Sequence, residues 1–161
     1  EIKHYYNHEY RIGKEAIAII KRHTGLEMPD DEASFIAMHI LNSELNLDMD
    51  HSRMMTKIIQ DVLNIVKYHF NIIIDEESLD YERFVTHLKF FVQRAMKEQE
   101  SRIWDKNLMD LIRAQYLDAY DCAGKIATYI ERTTPYVVLE EEMVYLTVHI
   151  QRLQKASPKV Q

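Results

Sequence analysis

Histidines at matching positions of an internal repeat are the side chains best placed to do chemistry in this chain. Residues 6–42 align on residues 116–152 without a gap, at a constant offset of 110, and His39 falls on His149. Repetition at a fixed offset indicates a duplicated structural unit. A histidine kept in both copies suggests a function for the imidazole. The identical pairs are Tyr6/Tyr116, Tyr10/Tyr120, Ile20/Ile130, Arg22/Arg132, Thr24/Thr134, Glu32/Glu142, His39/His149 and Ile40/Ile150.

A third histidine lies between two arginines. Arg83, His87, Phe90 and Arg94 recur at i, i+4, i+7 and i+11, which places them along one ridge of a helix. Neighbouring cations disfavour the charged form of an imidazole and can receive an added anion. A phosphoryl acceptor needs both properties. The alternative is a structural histidine at the edge of an apolar helix face, and spacing alone leaves both interpretations open.

Metal binding and enzymatic catalysis find weaker support. His4 and His8 have the i, i+4 spacing of a metal-binding pair, but no third ligand lies nearby and no His-Glu-x-x-His motif occurs. The chain contains neither a nucleophile–base–orienter set nor a glycine-rich phosphate loop. We therefore expect no metal site, no cofactor and no enzymatic activity.

The composition bounds the remaining possibilities. A net charge of −6 disfavours nucleic-acid binding by this stretch, because binding a phosphate backbone needs a basic surface. The single cysteine, Cys122, cannot form an internal disulfide and is expected to pack in a helix, which suits a reducing, cytoplasmic compartment. No stretch reaches the roughly 20 apolar residues of a membrane span.

Helical periodicity predicts the elements that must position these histidines. Glycine and proline are rare, and apolar residues recur at helical spacing, so we predict an all-α fold. The β-branched runs 72–74 and 136–138 are too short for paired strands and are predicted to be buried connections. The predicted helices are 8–23, 30–46, 53–70, 76–99, 105–115, 118–133 and 139–155.

The last predicted helix places its histidine at the boundary between core and solvent. Leu139, Met143, Leu146, Ile150 and Leu153 fall on one stripe, which predicts the core face, and His149 lies at its edge. The helix over 76–99 has an equivalent stripe, with His87 at its edge. Its members are Phe84, Leu88, Phe91 and Ala95.

The repeat also predicts the domain organisation. We expect tandem five-helix bundles, because the first copy repeats only the last two helices of the complete second unit. Residues 1–47 are then the C-terminal part of a truncated first domain, the polar segment 48–52 is a linker, and 53–161 form the complete second domain.

Four segments carry a resemblance to a known family. The segment 83–91, RFVTHLKFF, with 63–70, LNIVKYHF, before it, resembles the phosphotransferase-system regulation domain (PRD). The segments 30–40 and 145–150 resemble the histidine segments that close the two domains of this family. The similarity covers nearly the whole chain in the family's order. It is greatest to the transcriptional antiterminators of the BglG, LicT and SacY type.

The resemblance implies a regulatory mechanism. Such proteins carry an N-terminal RNA-binding domain and two five-helix regulation domains, each with two histidines that phosphotransferase-system proteins phosphorylate. Phosphorylation of the first domain by the sugar-specific component inactivates them, phosphorylation of the second by HPr generally activates them, and both act by rearranging a homodimer. By position, His39 matches the second histidine of the first domain, and His87 and His149 match the two histidines of the second.

Two further expectations complete the prediction, the first from the resemblance and the second from the ridge that holds His87 between two arginines. RNA would be bound only through a domain that is missing from this stretch, and Arg83 and Arg94 would receive the charge of a phosphate on His87. The alternative is the same module in a DNA-binding transcriptional activator, which differs in the domain that precedes it.

Overall fold

Eight α-helices and the segments between them make up the part of the chain that this computed structural model describes, residues 2–45, 48–96 and 105–160. The predicted all-α fold is confirmed; among these residues the only β pairing is an isolated antiparallel bridge between Ile72 and Lys159. The helices are α1 (Ile2–Tyr5), α2 (Asn7–Thr24), α3 (Asp30–Leu45), α4 (Met49–Phe70), α5 (Leu79–Met96), α6 (Lys106–Gln115), α7 (Leu117–Thr133) and α8 (Glu140–Ala156).

The chain divides into two compact units, an N-terminal unit of residues 1–57 and a C-terminal unit of residues 58–161. The division falls inside α4, so five helices contribute to the C-terminal unit. No helix among the described residues is long and apolar enough to cross a membrane.

Two predicted helix starts are wrong, because polar side chains cap the helices elsewhere. Helix α4 begins at Met49, so 49–52, predicted to be linker, are helical; the Asp48 carboxylate accepts the backbone N–H of His51 at 2.9 Å and caps the first turn. Helix α5 begins at Leu79, because the Ser78 hydroxyl accepts the backbone N–H of Tyr81 at 3.2 Å. Predicted helical residues 46 and 97–99 lie outside the described residues.

The predicted core faces are largely correct. Phe84, Leu88 and Phe91 of α5 and Leu146, Ile150 and Leu153 of α8 are buried. Leu139 is 42% exposed, contrary to prediction, because it lies before α8 in extended backbone and so has left the helical face. Of the two β-branched connections, Ile72 is buried, but Ile73 and Val137 are exposed, since a run of three in extended backbone cannot turn every side chain inward.

The repeat is visible in the backbone. Helix α2 packs on α3, and α7 packs on α8. The tyrosine that begins each copy interrupts the helix in the same conformation, with φ −128° and ψ 48° at Tyr6 and φ −127° and ψ 56° at Tyr116. Short helix α1 therefore corresponds to the end of α6. Helix α1 was not predicted, although Ile2 aligns with Ile112 at the same offset.

The helix pairs differ in how closely they approach. A Cβ placed on Gly13 of α2 would lie 2.3 Å from the carbonyl oxygen of Ala33 in α3, so this contact requires glycine. The aligned residues in the second copy are Ala123, which is fully buried, and Met143. At this position in the repeat, α2 therefore approaches α3 more closely than α7 approaches α8.

Candidate functional site

Two of the three predicted histidines meet in the C-terminal unit. The imidazoles of His87 on α5 and His149 on α8 stack with centroids 5.0 Å apart and planes 10° apart. The ring of Tyr145 lies 4.1 Å from that of His87 and 4.9 Å from that of His149. Tyr145 and His149 are four residues apart on α8, so the helix turn aligns them on one face. We call His87, Tyr145 and His149 the histidine cluster.

The two imidazoles differ in exposure. His149 is half-buried, as its position at the edge of the core face predicts. His87 is only 8% exposed and therefore lies deeper than predicted, because the rings of Tyr145 and His149 cover it. The spacing of residues along one helix predicts which side of that helix a residue faces, but it does not predict whether side chains of a neighbouring helix cover that residue.

Burial keeps His87 neutral. The pKa of His87 is lowered from 6.5 to about 2, mainly by burial and to a smaller extent by the charges of His149 and Arg94. The Nε2 atom is buried and has no hydrogen-bond partner among the described residues. The nearest carboxylate oxygen, Glu142 Oε2, lies 3.9 Å away, which is too long for a hydrogen bond and does not keep the ring protonated. The imidazole thus keeps a free lone pair at neutral pH.

An ion pair borders the buried imidazole. Arg94 donates from Nε and Nη2 to Glu142 Oε1, at 3.0 and 2.7 Å. Arg94, predicted to receive charge from a phosphate on His87, therefore already holds a carboxylate. Glu142 was not among the predicted site residues, although its identity with Glu32 in the repeat was a signal that could have marked it.

The charge of the second predicted arginine acts on the other histidine. Arg83 is half-exposed, with Nη1 3.9 Å from Asp80 Oδ1. Burial lowers the pKa of His149, Arg152 and Arg83 lower it further, and Asp80 acts in the opposite direction. Arg152 was missed by the sequence analysis, because it does not belong to the ridge of α5.

His39 lies in different surroundings. It belongs to α3 in the N-terminal unit, and its side chain is exposed. The structure therefore brings together His87 and His149, and describes His39 separately as a surface residue of the other unit.

The remaining candidates are structural or exposed. His4 and His8 are exposed, and the described residues contain no group of three or more side chains able to hold a metal ion. Cys122 is fully buried, as predicted, and burial raises the pKa of its thiol to about 12, so it packs as an inert apolar group.

The chain belongs to the PRD domain family. The family model matches residues 1–43 and 60–153, which include all three candidate histidines, and it confirms the predicted family. The chain is 48% identical over 155 residues to the "Transcription antiterminator LicT" of Bacillus subtilis (strain 168), covering 96% of this chain and 56% of that protein.

Further relatives carry similar names. The chain is 40% identical over 154 residues to the "Beta-glucoside operon antiterminator" of Dickeya chrysanthemi, covering 96% of this chain and 54% of that protein. It is 31% identical over 153 residues to the "PtsGHI operon antiterminator" of Bacillus subtilis (strain 168), covering 95% and 54%. The chain spans about half the length of the curated relatives it matches.

Proposed function

We propose that this chain is the regulatory region of a bacterial sugar-operon transcription antiterminator and that His39, His87 and His149 accept phosphoryl groups. The phosphoryl donors are HPr and a sugar-specific component of the phosphotransferase system. This regulatory region is cytoplasmic and has no enzymatic activity of its own. The observation that carries this proposal is the neutral imidazole of His87, stacked on His149 with arginine nearby. The names of the relatives favour an antiterminator over the alternative, a DNA-binding activator.

The chemistry requires a nitrogen with a free lone pair. With HPr as the donor, that lone pair on the acceptor imidazole forms the new N–P bond while the P–N bond of the HPr phosphohistidine breaks. The bonding electrons remain on the HPr imidazole nitrogen, and the ring N–H proton lost by the acceptor balances the proton that the HPr imidazole gains. The lowered pKa values of His87 and His149 keep the lone pair available at neutral pH. Neither metal nor cofactor is needed.

The surrounding charges suit the product. A phosphate adds about −1.5 to −2 charges and three acceptor oxygens. Arg94 is close enough to His87 to lower its pKa, and Arg83 and Arg152 act on His149 in the same way. We propose that Arg83 and Arg94 stabilise the phosphorylated state, as the sequence predicts, and that Arg152 contributes as well.

Phosphorylation would act through a homodimer. Exposed apolar side chains in the C-terminal unit, among them Phe90, Leu108, Leu111 and Leu117, are available for such an interface. We propose residues 1–47 as part of the first regulation domain, 48–52 as the segment between the domains and 53–161 as the second domain. RNA binding would belong to a part of the protein outside these residues.

Phosphoryl transfer can be tested directly. The chain is incubated with HPr, enzyme I and phosphoenolpyruvate, with and without the sugar-specific component that is the proposed donor to His39, and modified peptides are identified by mass spectrometry. We expect acid-labile, base-stable phosphate that is lost site by site in the variants His39→Ala, His87→Ala and His149→Ala. His23→Ala is the matched control, because His23 is an exposed histidine outside the proposed set. Absence of phosphate from the histidine cluster, or stoichiometric zinc instead, contradicts the proposal.

The regulatory role needs the full-length protein. His87→Asp places a fixed negative charge in the histidine cluster and is expected to change dimer stability and antitermination. Sedimentation analysis and a reporter assay measure the two outcomes. If neither changes, His87 has no role in the switch.

A further inference from the structure

A carboxylate beside a proposed phosphate acceptor is an electrostatic conflict. Glu142 Oε2 lies 3.9 Å from His87 Nε2, and the Glu142 side chain is only 17% exposed. A phosphate on His87 would bring about two negative charges next to this carboxylate, in a place where water screens poorly. The conflict must be relieved if His87 is phosphorylated.

The same carboxylate holds the cation that the phosphate needs. Both hydrogen bonds from Arg94 end on Glu142 Oε1, and this link joins α5 to α8. The planar guanidinium of arginine can bind either a carboxylate or a phosphate through two hydrogen bonds. The phosphate carries more negative charge and more acceptor oxygens. Glu142 and the phosphate therefore compete for Arg94.

The Arg94–Glu142 link also lies beside the side chain that covers His87, so its loss would change how accessible the His87 imidazole is. Glu142, Tyr145 and His149 are spaced i, i+3 and i+7 on α8 and share one face. Tyr145 covers His87, and Glu142 fastens the adjacent turn of α8 to α5. Loss of the Arg94–Glu142 link would free the part of α8 that covers His87.

We propose that Arg94 and Glu142 form a latch that opposes phosphorylation of His87 and is exchanged when it occurs. In the unphosphorylated state Arg94 holds Glu142. Once the N–P bond has formed on His87, the phosphate takes Arg94 and Glu142 is released to solvent. This inference rests on the proposed function, since it assigns regulatory roles to two residues around the same acceptor.

The latch predicts opposite effects for its two members. Glu142→Gln removes the repulsion and frees Arg94, so we expect phosphorylation of His87 to proceed about tenfold faster or more. Arg94→Gln also breaks the link, but it leaves the repulsion by Glu142 in place and removes the cation that the phosphate needs. We expect these two losses to outweigh the gain in access and to give a net decrease of about tenfold or more. The double variant is expected between the two. If the ion pair were purely structural, both single variants would change the rate of phosphorylation in the same direction.

The matched control is Glu140→Gln. Glu140 lies in the same first turn of α8 and is exposed, so the substitution makes the same change in net charge and in the helix dipole without touching Arg94. We expect its rate to match that of the unmodified chain. Phosphoramidate as a second donor separates the latch from any contact between Glu142 and HPr, because it needs no docking surface.

The rates are measured on the full chain by peptide mass spectrometry, with circular dichroism to confirm folding. The Arg94 side-chain Nε–Hε signal in NMR spectra adds a structural check: it should shift on phosphorylation, and Glu142→Gln alone should shift it beforehand. Equal rates for Glu142→Gln and the unmodified chain overturn the latch but leave the proposed function intact. If Glu142→Gln does not fold, a rate for Arg94→Gln at or above that of the unmodified chain overturns it. Absence of phosphate on His87 in the unmodified chain overturns both proposals.

Discussion

The two copies of the repeat share a backbone but place their histidines in different environments. His39 on α3 is exposed, whereas His149 on α8 is half-buried against His87 and Tyr145. The aligned aromatic residues differ in the same way. Phe35 is 56% exposed, whereas Tyr145 is 38% exposed and its ring contacts two imidazoles. The comparison shows that the duplicated helix pair supplies the histidine, while the packing of α5 on α8 supplies its chemical setting.

Identical residues should therefore contribute unequally to stability. Ile150 is fully buried and Ile40 only partly. We expect Ile150→Ala to lower the free energy of unfolding by about 3–4 kcal/mol, because it removes buried methyl groups and leaves a cavity, and Ile40→Ala by about half as much. Denaturant unfolding followed by circular dichroism measures both. Equal losses would remove the distinction between the copies.

The close approach of α2 and α3 should make Gly13 intolerant of substitution. A Cβ there meets backbone, which cannot move aside alone, so we expect Gly13→Ala to destabilise the N-terminal unit by about 2–3 kcal/mol. Gly124→Ala in α7 is the control: its Cβ meets only Met143 Cε at 3.8 Å, so the gain in helix propensity of up to about 1 kcal/mol remains. Hydrogen exchange of amides in α2 and α7 measures the two effects. If each variant increased hydrogen exchange in its own helix, the inferred difference between the two helix pairs in how closely they approach would be contradicted.

Acid should weaken the C-terminal unit through its buried imidazole. The pKa of His87 is about 2 when folded and 6.5 in its ordinary state, so the unfolded chain binds the extra proton below pH 6.5. Stability is therefore complete above pH 6.5 and is lost as the pH falls toward 2, with a loss of about 2 kcal/mol by pH 5.

The variant His87→Met isolates this contribution, because it keeps an unbranched apolar group and removes the titration. We expect the difference in unfolding free energy between pH 8 and pH 5 to be about 2 kcal/mol smaller than in the unmodified chain. Unfolding in denaturant at the two pH values supplies the measurement. An unchanged difference would show that His87 accepts its proton without unfolding.

The smallest difference concerns the aromatic rings. Tyr145→Ala removes the ring contacts with His87 and His149, and we expect a loss of about 1.5 kcal/mol. Phe35→Ala removes a side chain that is mostly exposed, and we expect a change within about 0.5 kcal/mol. Thermal unfolding of the two variants makes the comparison. A larger loss at Phe35 would indicate that a partner covers α3.

Much of this architecture follows from local sequence. Helical periodicity predicted seven of the helices in outline, because each amphipathic stripe records the face that must be buried. The repeat predicted His39 and His149 as functional histidines, and the two flanking arginines predicted His87. The positions of Phe84 and Leu88 on α5 indicated the core face correctly.

The errors arise where contacts join distant residues. The depth of His87 depends on Tyr145, and the role of Arg94 depends on Glu142, which lies 48 residues away. The periodicity of a single helix gives no information about contacts with another helix, so neither contact could be predicted from it. The early start of α4 had a local signal in Asp48, but the polar composition of 48–52 suggested a linker more strongly than a cap.

The pairing beside Ile72 has a mechanical consequence for α8. Backbone hydrogen bonds of 2.9 Å from Ile73 N to Pro158 O and from Val160 N to Asn71 O attach the C-terminal end of this helix to the connection between α4 and α5. The residues from Glu142 to Ser157 span about 22 Å along the helix axis. With that end held, a rotation of α8 by about 5° about Ser157 would displace Glu142 by about 2 Å. A small angular change is enough to separate the far end from its ion-pair partner.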